Sequence, residues 1–201
     1  MSIYQDFLNT LNDVAKKAAP KDLFFEGDTS LLFRVPKVSV VGSRKVSDLG
    51  IRRTEKIVKS LTFLDPTKQT QRGIIVVSGL AEGVDTFAHT HAISNGGKTI
   101  AVLGTPLDEC YPASNKGLLQ IIKNYHLAVS QFERGRRVFP SNFPARNKTM
   151  ALLSDATIIV EASENSGTRH QAWESIKIGK SVFILENVLR TAPGWANKIL
   201  E

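Results

Sequence analysis

The chain has 201 residues, a single cysteine and a formal net charge of +7. This length fits one substantial domain, and no apolar run approaches the roughly 18–20 residues that a membrane span needs. The first residues lack the basic start and apolar stretch of a signal peptide. Without a membrane-spanning run, we expect no membrane contact. Because one cysteine cannot form an intrachain disulfide, we expect a reducing compartment, the cytoplasm.

The positive charge is concentrated in two windows of the sequence. Residues 37–59 contain seven Lys and Arg against two acidic residues, and residues 131–148 contain five against one. The rest of the chain is slightly acidic. Basicity that is local is expected for a surface that meets a polyanion, although a solvated surface that only confers solubility is the alternative.

The predicted elements begin with one amphipathic helix over residues 3–17 and an irregular lead-in over residues 21–36 that packs on the core. Strands then alternate with helices. We predict strands over residues 37–41, 73–78, 99–103, 127–130, 156–160 and 181–185, helices over residues 47–61, 83–94, 115–123, 145–153 and 167–178, and a polar, turn-rich connection over residues 65–73.

This alternation predicts an α/β fold, a Rossmann-like doubly wound and mostly parallel sheet with helices on both faces. The expected organisation is an N-terminal helix and lead-in over residues 1–36, a Rossmann domain over residues 37–186, and a C-terminal tail over residues 187–201. Ligands of such sheets bind beyond the carboxyl ends of the strands, so the loops at that edge are the candidate site.

Three of these loops have the composition of a phosphate site. Loop one, residues 42–45, follows the first predicted strand and brings a glycine, a hydroxyl and two cations. Loop two, residues 78–83, and loop three, residues 161–168, each open a helix, where free amides and the helix dipole favour an anion. None matches a Walker A loop or a complete GxGxxG fingerprint. The candidate residues are Gly42, Ser43, Arg44 and Lys45 in loop one, Ser78, Gly79 and Leu80 in loop two, and Ser166, Gly167 and Thr168 in loop three.

The basic segment 131–148 interleaves arginines with Phe139 and Phe143. This pattern is typical of single-strand binding, in which phosphates pair with arginine and bases stack on rings. The alternative, which is favoured for each ring taken singly, is that the phenylalanine plugs the core beneath the loop.

Signals of catalysis are weak. We expect no metal and no cofactor, because no compact His/Cys/Asp cluster has ligand spacing. His89 and His91 lie two residues apart on one helix and point different ways, and His91 fits the packed face. Cys110 is interpreted as structural, and Asp85 as a complement to the helix dipole.

Several of these segments together resemble the DNA-processing protein A (DprA/Smf) family. The motifs are GSR at residues 42–44, SGLAEGVDTFAH at 78–89, GKTIAVLG at 97–104, YP at 111–112, FPARNK at 143–148 and SGT at 166–168, and residues 20–27 are similar to the segment before that family's core. The likeness covers roughly residues 20–185.

The resemblance implies an extended Rossmann fold that binds single-stranded DNA and helps to load a RecA-type recombinase in natural transformation, with a homodimer as a further expectation. It implies phosphate contacts from residues 42–44 and 78–80, and from Arg146, Asn147 and Lys148. Lys148 stands where the family has arginine, so it keeps the charge but loses bidentate geometry. The segments before and after the core are shorter than in many family members, which predicts a minimal form.

Two other hypotheses stay open. The first is a nucleotide sensor or a hydrolase like the LOG-type phosphoribohydrolases, in which a loop glutamate supplies the catalytic carboxylate. Gln171 stands at that position and cannot act as a general base, although Glu174 follows one helical turn later. The second is an interaction protein whose phosphate cradle is vestigial. Because Gln171 replaces the catalytic carboxylate and the other signals of catalysis are weak, we expect a protein that is not an enzyme.

Overall fold

The computed structural model describes residues 2–34, 36–63 and 73–200. Apolar, β-branched runs form strands, and amphipathic segments between them form helices, as the sequence pattern predicts. The strands are β1 (Phe24–Gly27), β2 (Lys37–Gly42), β3 (Ile75–Ser78), β4 (Thr99–Leu103), β5 (Leu127–Ser130), β6 (Ala156–Glu161) and β7 (Ser181–Ile184). The helices are α1 (Ile3–Asn9), α2 (Asp13–Ala18), α3 (Asp48–Thr62), α4 (Val84–Ser94), α5 (Lys116–Tyr125), α6 (Asn142–Leu152), α7 (Thr168–Lys177), α8 (Glu186–Thr191) and α9 (Pro193–Leu200).

The strands form one sheet in the order β1-β5-β4-β3-β2-β6-β7. All neighbouring pairs are parallel except β1 with β5. The chain runs outward from β2 through β5 and then crosses back to place β6 on the other side of β2. The predicted Rossmann-like, doubly wound and mostly parallel sheet is therefore confirmed, and its topological switch point lies between β2 and β6.

Helices cover both faces of the sheet because alternate strand residues are apolar on both sides. In β2, Val40 packs in a cluster with α3 and α4, whereas Val41 packs in the larger cluster with α1, α2, α6, α7, α8 and α9. A third cluster joins β4 and β5 to α5. At the carboxyl edge, the first turns of α3 and α4 therefore lie on one side of the sheet, and the first turns of α6 and α7 lie on the other.

Two N-terminal predictions are wrong. The single helix over residues 3–17 is broken into α1 and α2, because the Asn12 side chain caps a new helix by accepting from the Ala15 amide at 2.8 Å. Residues 21–36 are not wholly irregular, since β1 pairs with β5. Gly27 closes this strand with a positive φ of 114° beside the His126 carbonyl, where a side chain would not fit.

The segment after β7 packs on the same core as the sheet. Helix α8 buries Val188, helix α9 buries Trp195 and Ala196, and Ala192 between the two helices is also buried. The Trp195 Nε1 donates to the Ser163 carbonyl in loop three at 3.2 Å, so this segment also supports an edge loop of the sheet.

The remaining differences are small. Helix α6 begins three residues earlier than predicted, and the other ends of the elements predicted after residue 36 shift by at most two residues, which is usual for helix and strand boundaries. The predicted connection over residues 65–73 lies outside the described residues except for Gly73. Within the described ranges, no helix combines the length and apolarity that crossing a membrane requires.

Candidate nucleic-acid interface

A cleft of about 840 Å³ opens at the carboxyl edge of the sheet, over the switch point between β2 and β6. Its walls come from loop one, from loop three, and from the segment that leads into α6. Of the thirteen predicted site residues, nine line this cleft: Gly42, Ser43, Arg44, Lys45, Arg146, Asn147, Ser166, Gly167 and Thr168. The other four, Ser78, Gly79, Leu80 and Lys148, do not.

Loop one presents its cations to the cleft and uses its other polar groups to hold itself. The Ser43 amide donates to the Glu161 carbonyl at 2.7 Å, and the Ser43 hydroxyl donates to the Lys45 carbonyl at 2.9 Å. Gly42 sits so close to the Val84 side chain that a Cβ would overlap it. Arg44 and Lys45 are exposed, so they are the loop-one groups best placed to bind an anion.

Glu161, which the sequence analysis did not select, joins loop one to loop three. It ends β6, and its carboxylate accepts from the Ser47 amide at 3.0 Å and from the Ser47 hydroxyl. Ser47 in turn caps α3 by accepting from the Gly50 amide at 3.0 Å. The only sequence signal was a charged residue at the end of an otherwise apolar strand.

The amides of loop two are hydrogen-bonded by a carboxylate of the protein itself. The expectation of free amides is wrong for Gly79 and Ala81, because both donate to the Asp85 carboxylate, at 3.1 and 3.4 Å. Asp85 therefore does more than complement a dipole. Its burial raises the pKa of the carboxyl above its ordinary value, and the positive charge of Arg146 acts in the opposite direction.

The rest of loop two is also committed to the fold. The Ser78 hydroxyl is buried and donates to the Val40 carbonyl at 2.7 Å. Leu80 is fully buried with a positive φ of 59°, a conformation that costs free energy for a residue with a side chain and is held by its surroundings. Loop two thus lies beneath loop one and supports it. The two loops meet at Gly83, which has a φ of 72° and lies so close to loop one that a Cβ would overlap the Arg44 carbonyl.

Arg146 is the buried cation of the site. It projects from α6 and is only 4% exposed, and its Nη1 donates to the Val102 carbonyl at 2.9 Å and to the Gly79 carbonyl. Burial lowers the pKa of this guanidinium from its ordinary value, and Asp85 opposes that shift. Its Nε donates to Asn147 Oδ1 at 3.0 Å, which orients the Asn147 amide at the cleft wall.

Aromatic side chains line the rim of the cleft beside the arginines. The Phe143 ring packs on Gly104, lies 5.4 Å from the Tyr111 ring, and has the Arg44 guanidinium over it at 5.7 Å. The preference for a core-plugging role is wrong for Phe139, which is 46% exposed and lies under the Arg137 guanidinium at 5.5 Å. Tyr111, exposed at the same rim, carried no role in the sequence analysis.

Loop three opens α7 with a local hydrogen-bond network. The Ser166 hydroxyl donates to Thr168 Oγ1 at 2.7 Å and accepts from the Thr168 amide at 3.2 Å. The Glu164 carboxylate accepts from the Gly194 amide at the start of α9. These contacts fix the helix N-terminus toward the cleft, where its dipole favours negative charge.

The described residues of the cleft include few groups that could act as a general base or as metal ligands in hydrolysis. Gln171 lines it and is buried, whereas Glu174 does not line it and instead accepts from Lys177 Nζ at 2.7 Å. Among the described residues that line the cleft, Asp85 is the only carboxylate, and it is occupied by the loop-two amides. Across the same ranges, no three His, Cys, Asp or Glu side chains are grouped as metal ligands would be.

The packed histidine of α4 is His89 and not His91, contrary to the sequence analysis. His89 is fully buried, its Nδ1 lies 2.7 Å from Thr99 Oγ1, and burial lowers its pKa to about 3. The Cys110 thiol donates to the Pro112 carbonyl at 3.3 Å, and burial raises its pKa.

Comparison with known proteins places this geometry in context. Residues 3–199 match the model of a family described as DNA recombination-mediator protein A. DNA processing protein DprA of Streptococcus pneumoniae is 41% identical over 167 residues, which is 83% of this chain and 56% of that protein. The chain therefore spans little more than half the length of this relative.

Two solved structures share the fold over 96% of the chain. DNA processing protein A from Streptococcus pneumoniae superposes with a TM-score of 0.80 at 37% identity, over 64% of its own length. DNA processing protein A from Helicobacter pylori, whose single-stranded DNA binding mode has been described structurally, superposes with a TM-score of 0.79 at 30% identity, over 82% of its length. A family model that spans nearly the whole chain and a relative of this identity show that the chain belongs to the DNA recombination-mediator protein A family.

Proposed function

We propose that this protein binds single-stranded DNA non-enzymatically, in the cleft over the switch point. The observation that carries the proposal is the combination, in one cleft, of the exposed cations of loop one with the aromatic rim of Tyr111, Phe139 and Phe143. Cations bind phosphates and rings stack on bases, and alternation of the two is the usual chemistry of single-strand binding. The Helicobacter pylori relative supports the proposal, since single-stranded DNA is its described ligand.

The residues divide into those that touch the strand and those that hold the touching residues in place. Arg44 and Lys45 bind phosphates from one wall, and residues 166–168, at the start of α7, bind phosphate from the other. Asn147 contributes an amide between them, and Lys148 adds an exposed charge outside the cleft lining.

Ala81, Asp85 and Arg146 form the floor of the cleft, and the rest of loop two lies beneath it. The guanidinium and the Asp85 carboxylate are both buried there, and each is satisfied mainly by backbone groups. A preorganised floor keeps loop one in position without further ordering when the ligand arrives, which lowers the entropic cost of binding. Ser78, Gly79 and Leu80 therefore contribute by supporting the phosphate-binding loop.

A polymer fits this cleft better than a mononucleotide. Arg136 and Arg137 are exposed on the segment before α6 and do not line the cleft. Positive charge therefore continues beyond the volume that one nucleotide would occupy. A free nucleotide would use the loops and leave these cations without a phosphate. Gln171, in place of a catalytic carboxylate, argues against hydrolysis of a nucleotide.

The family description, recombination mediator, supports a role in recombination, and we propose that the protein acts in the cytoplasm during DNA uptake or recombination. In this proposal the bound strand is passed to a RecA-type recombinase, and two copies of the chain act as a homodimer. Sedimentation equilibrium tests the dimer, and strand-exchange assays with purified recombinase test the transfer.

The direct test is a filter-binding comparison of single-stranded DNA, single-stranded RNA, duplex DNA and mononucleotides across a salt series. Single strands should bind tightest, and the affinity should fall steeply with salt because phosphate contacts release counterions. Affinity that does not depend on salt, or a preference for the mononucleotide, would refute the proposal.

The Arg44→Ala variant sharpens this test. It should weaken binding to oligonucleotides of every sequence alike and lower the salt slope by about 0.7, because a phosphate contact positions the strand without identifying bases. Arg190→Ala is the matched control, since Arg190 is an exposed cation on α8 that does not line the cleft. A loss that depends on base sequence would contradict the role of Arg44.

A further inference from the structure

The basic window over residues 37–59 contains more cations than the two that line the cleft. Arg44 and Lys45 line the cleft, and Lys37 is buried with its Nζ donating to the Arg34 carbonyl at 2.8 Å. Arg52, Lys56 and Lys59 are exposed on α3 and have no part in the site described above. Their spacing of four and then three residues places them on one face of the helix.

The orientation of this face is fixed by packing on the opposite side of the helix. Gly50, Thr54, Val58 and Thr62 are the buried residues of α3, and they face α4 and the sheet. Because α3 cannot rotate without exposing these residues, the three cations are held toward solvent. Arg52, Lys56 and Lys59 together are called the α3 basic face below.

The α3 basic face continues the positive wall of the cleft. Helix α3 starts at the rim, where Ser47 caps it and is fastened to Glu161, and it then runs back along the sheet away from the carboxyl edge. At 1.5 Å per residue, Arg52 and Lys59 are about 10 Å apart along the axis, and Arg52 lies about one turn after Asp48, the first residue of the helix. A strand that leaves the cleft past Lys45 and follows α3 would meet this face.

The structural role of a helix-terminal cation accounts for only part of the pattern. Lys59 lies in the last turn, where a positive charge complements the dipole. Arg52 lies in the N-terminal half of α3, where the dipole gives no reason for a cation. Asp48 and Glu55 are exposed on the same side of α3, one turn before Arg52 and one turn before Lys59, and they reduce the net charge of this side to about +1, which is still positive.

We infer that the α3 basic face binds the phosphate backbone of single-stranded DNA where the strand leaves the cleft, so that the footprint of the protein extends past the cleft along α3. This inference rests on the proposed function and adds a second contact surface for the same ligand. The face positions the backbone and reads no base, because its contacts are charges only.

The test uses the triple variant Arg52→Gln, Lys56→Gln and Lys59→Gln, since glutamine keeps helix propensity close to that of lysine and arginine. The control is Lys16→Gln, Lys17→Gln and Lys198→Gln, which removes the same charge from exposed positions on α2 and α9, across the sheet from α3. Urea midpoints within error of wild type verify that both triple variants are folded. Oligothymidylates of about 6 and about 30 nucleotides are titrated across salt, the shorter one spanning the cleft alone.

We expect the α3 triple variant to lose on the order of tenfold affinity for the longer strand and to lower its salt slope by about 2, from three phosphate contacts at about 0.7 each. Affinity for the shorter strand should change less than about twofold, and the control variant should match wild type on both strands. An equal loss on both lengths, an equal loss in the control, or an unchanged affinity for the longer strand would overturn the inference. Failure of wild type to bind either strand would instead overturn the proposed function.

Discussion

Gly79 is the position where one added methyl group should report on the whole floor of the cleft. A Cβ there would overlap the Arg146 guanidinium, and the three nearest atoms it meets all belong to that side chain. Arg146 is 4% exposed and is held by the Gly79 and Val102 carbonyls, so it cannot yield into solvent without leaving these acceptors. We therefore expect Gly79→Ala to displace Arg146 and leave two buried carbonyls unpaired.

Each buried group left without a partner costs about 1–3 kcal/mol, so the loss of two partners by Gly79→Ala should lower the free energy of unfolding by about 2–6 kcal/mol in urea titrations. Gly117→Ala is the control, because a Cβ at Gly117 on α5 meets nothing within 4 Å. That variant should be unchanged or stabilised by up to about 1 kcal/mol, the ordinary helix preference of alanine over glycine.

A double-mutant cycle isolates the cause. If the cost comes from the overlap with Arg146, then Gly79→Ala should cost less than about 1 kcal/mol in an Arg146→Ala background, which gives a coupling energy of at least about 1 kcal/mol. Additive costs in the cycle, or a Gly79→Ala variant within about 0.5 kcal/mol of wild type, would refute the argument that Gly79 exists to admit Arg146.

Two further predictions concern the core. Burial lowers the pKa of His89 to about 3, so below its ordinary pKa the unfolded chain takes up a proton that the folded chain does not, and stability present above about pH 6.5 is lost as the pH falls toward 3. His89→Gln should flatten the urea-derived stability curve between about pH 6 and 4 by about 1.4 kcal/mol per pH unit, and an unchanged slope would contradict the burial of a neutral imidazole. Trp195→Ala should cost about 3–5 kcal/mol in the same titration, because Trp195 is 5% exposed and its Nε1 bonds Ser163, whereas a cost near zero would mean that α9 is not part of the core.

The sequence predicted most of the sheet because its strands are β-branched runs buried on both faces, and such runs carry their own signal. Residues 73–78 and 156–160 were predicted within two residues of β3 and β6. The segments that were predicted wrongly have weak local signals. Residues 24–27 form a strand only because β5 offers an antiparallel edge to pair with, and no local pattern encodes that edge.

The candidate site divides in the same way. Arg44 and Lys45 were selected from composition, and the structure exposes both at the cleft. The roles of Asp85 and Glu161 were missed for different reasons. The amides that Asp85 accepts from are near in sequence but face it only because of the path that loop two takes in the fold, and the partner of Glu161 is distant in sequence. Glu161 meets Ser47 across more than a hundred residues, and no short motif records such a contact.

The sequence by itself determined the fold class, the edge of the sheet at which the ligand loops meet, and the family, since these follow from local periodicity, glycine placement and ordered motifs. Only the tertiary structure decided which charges face the ligand. Arg44 and Arg146 are both arginines in predicted phosphate motifs, yet one is exposed at the rim and the other is buried under Gly79. The physical reason is that burial and hydrogen-bond partners are set by how α6 packs over loop two, which no local stretch of sequence encodes.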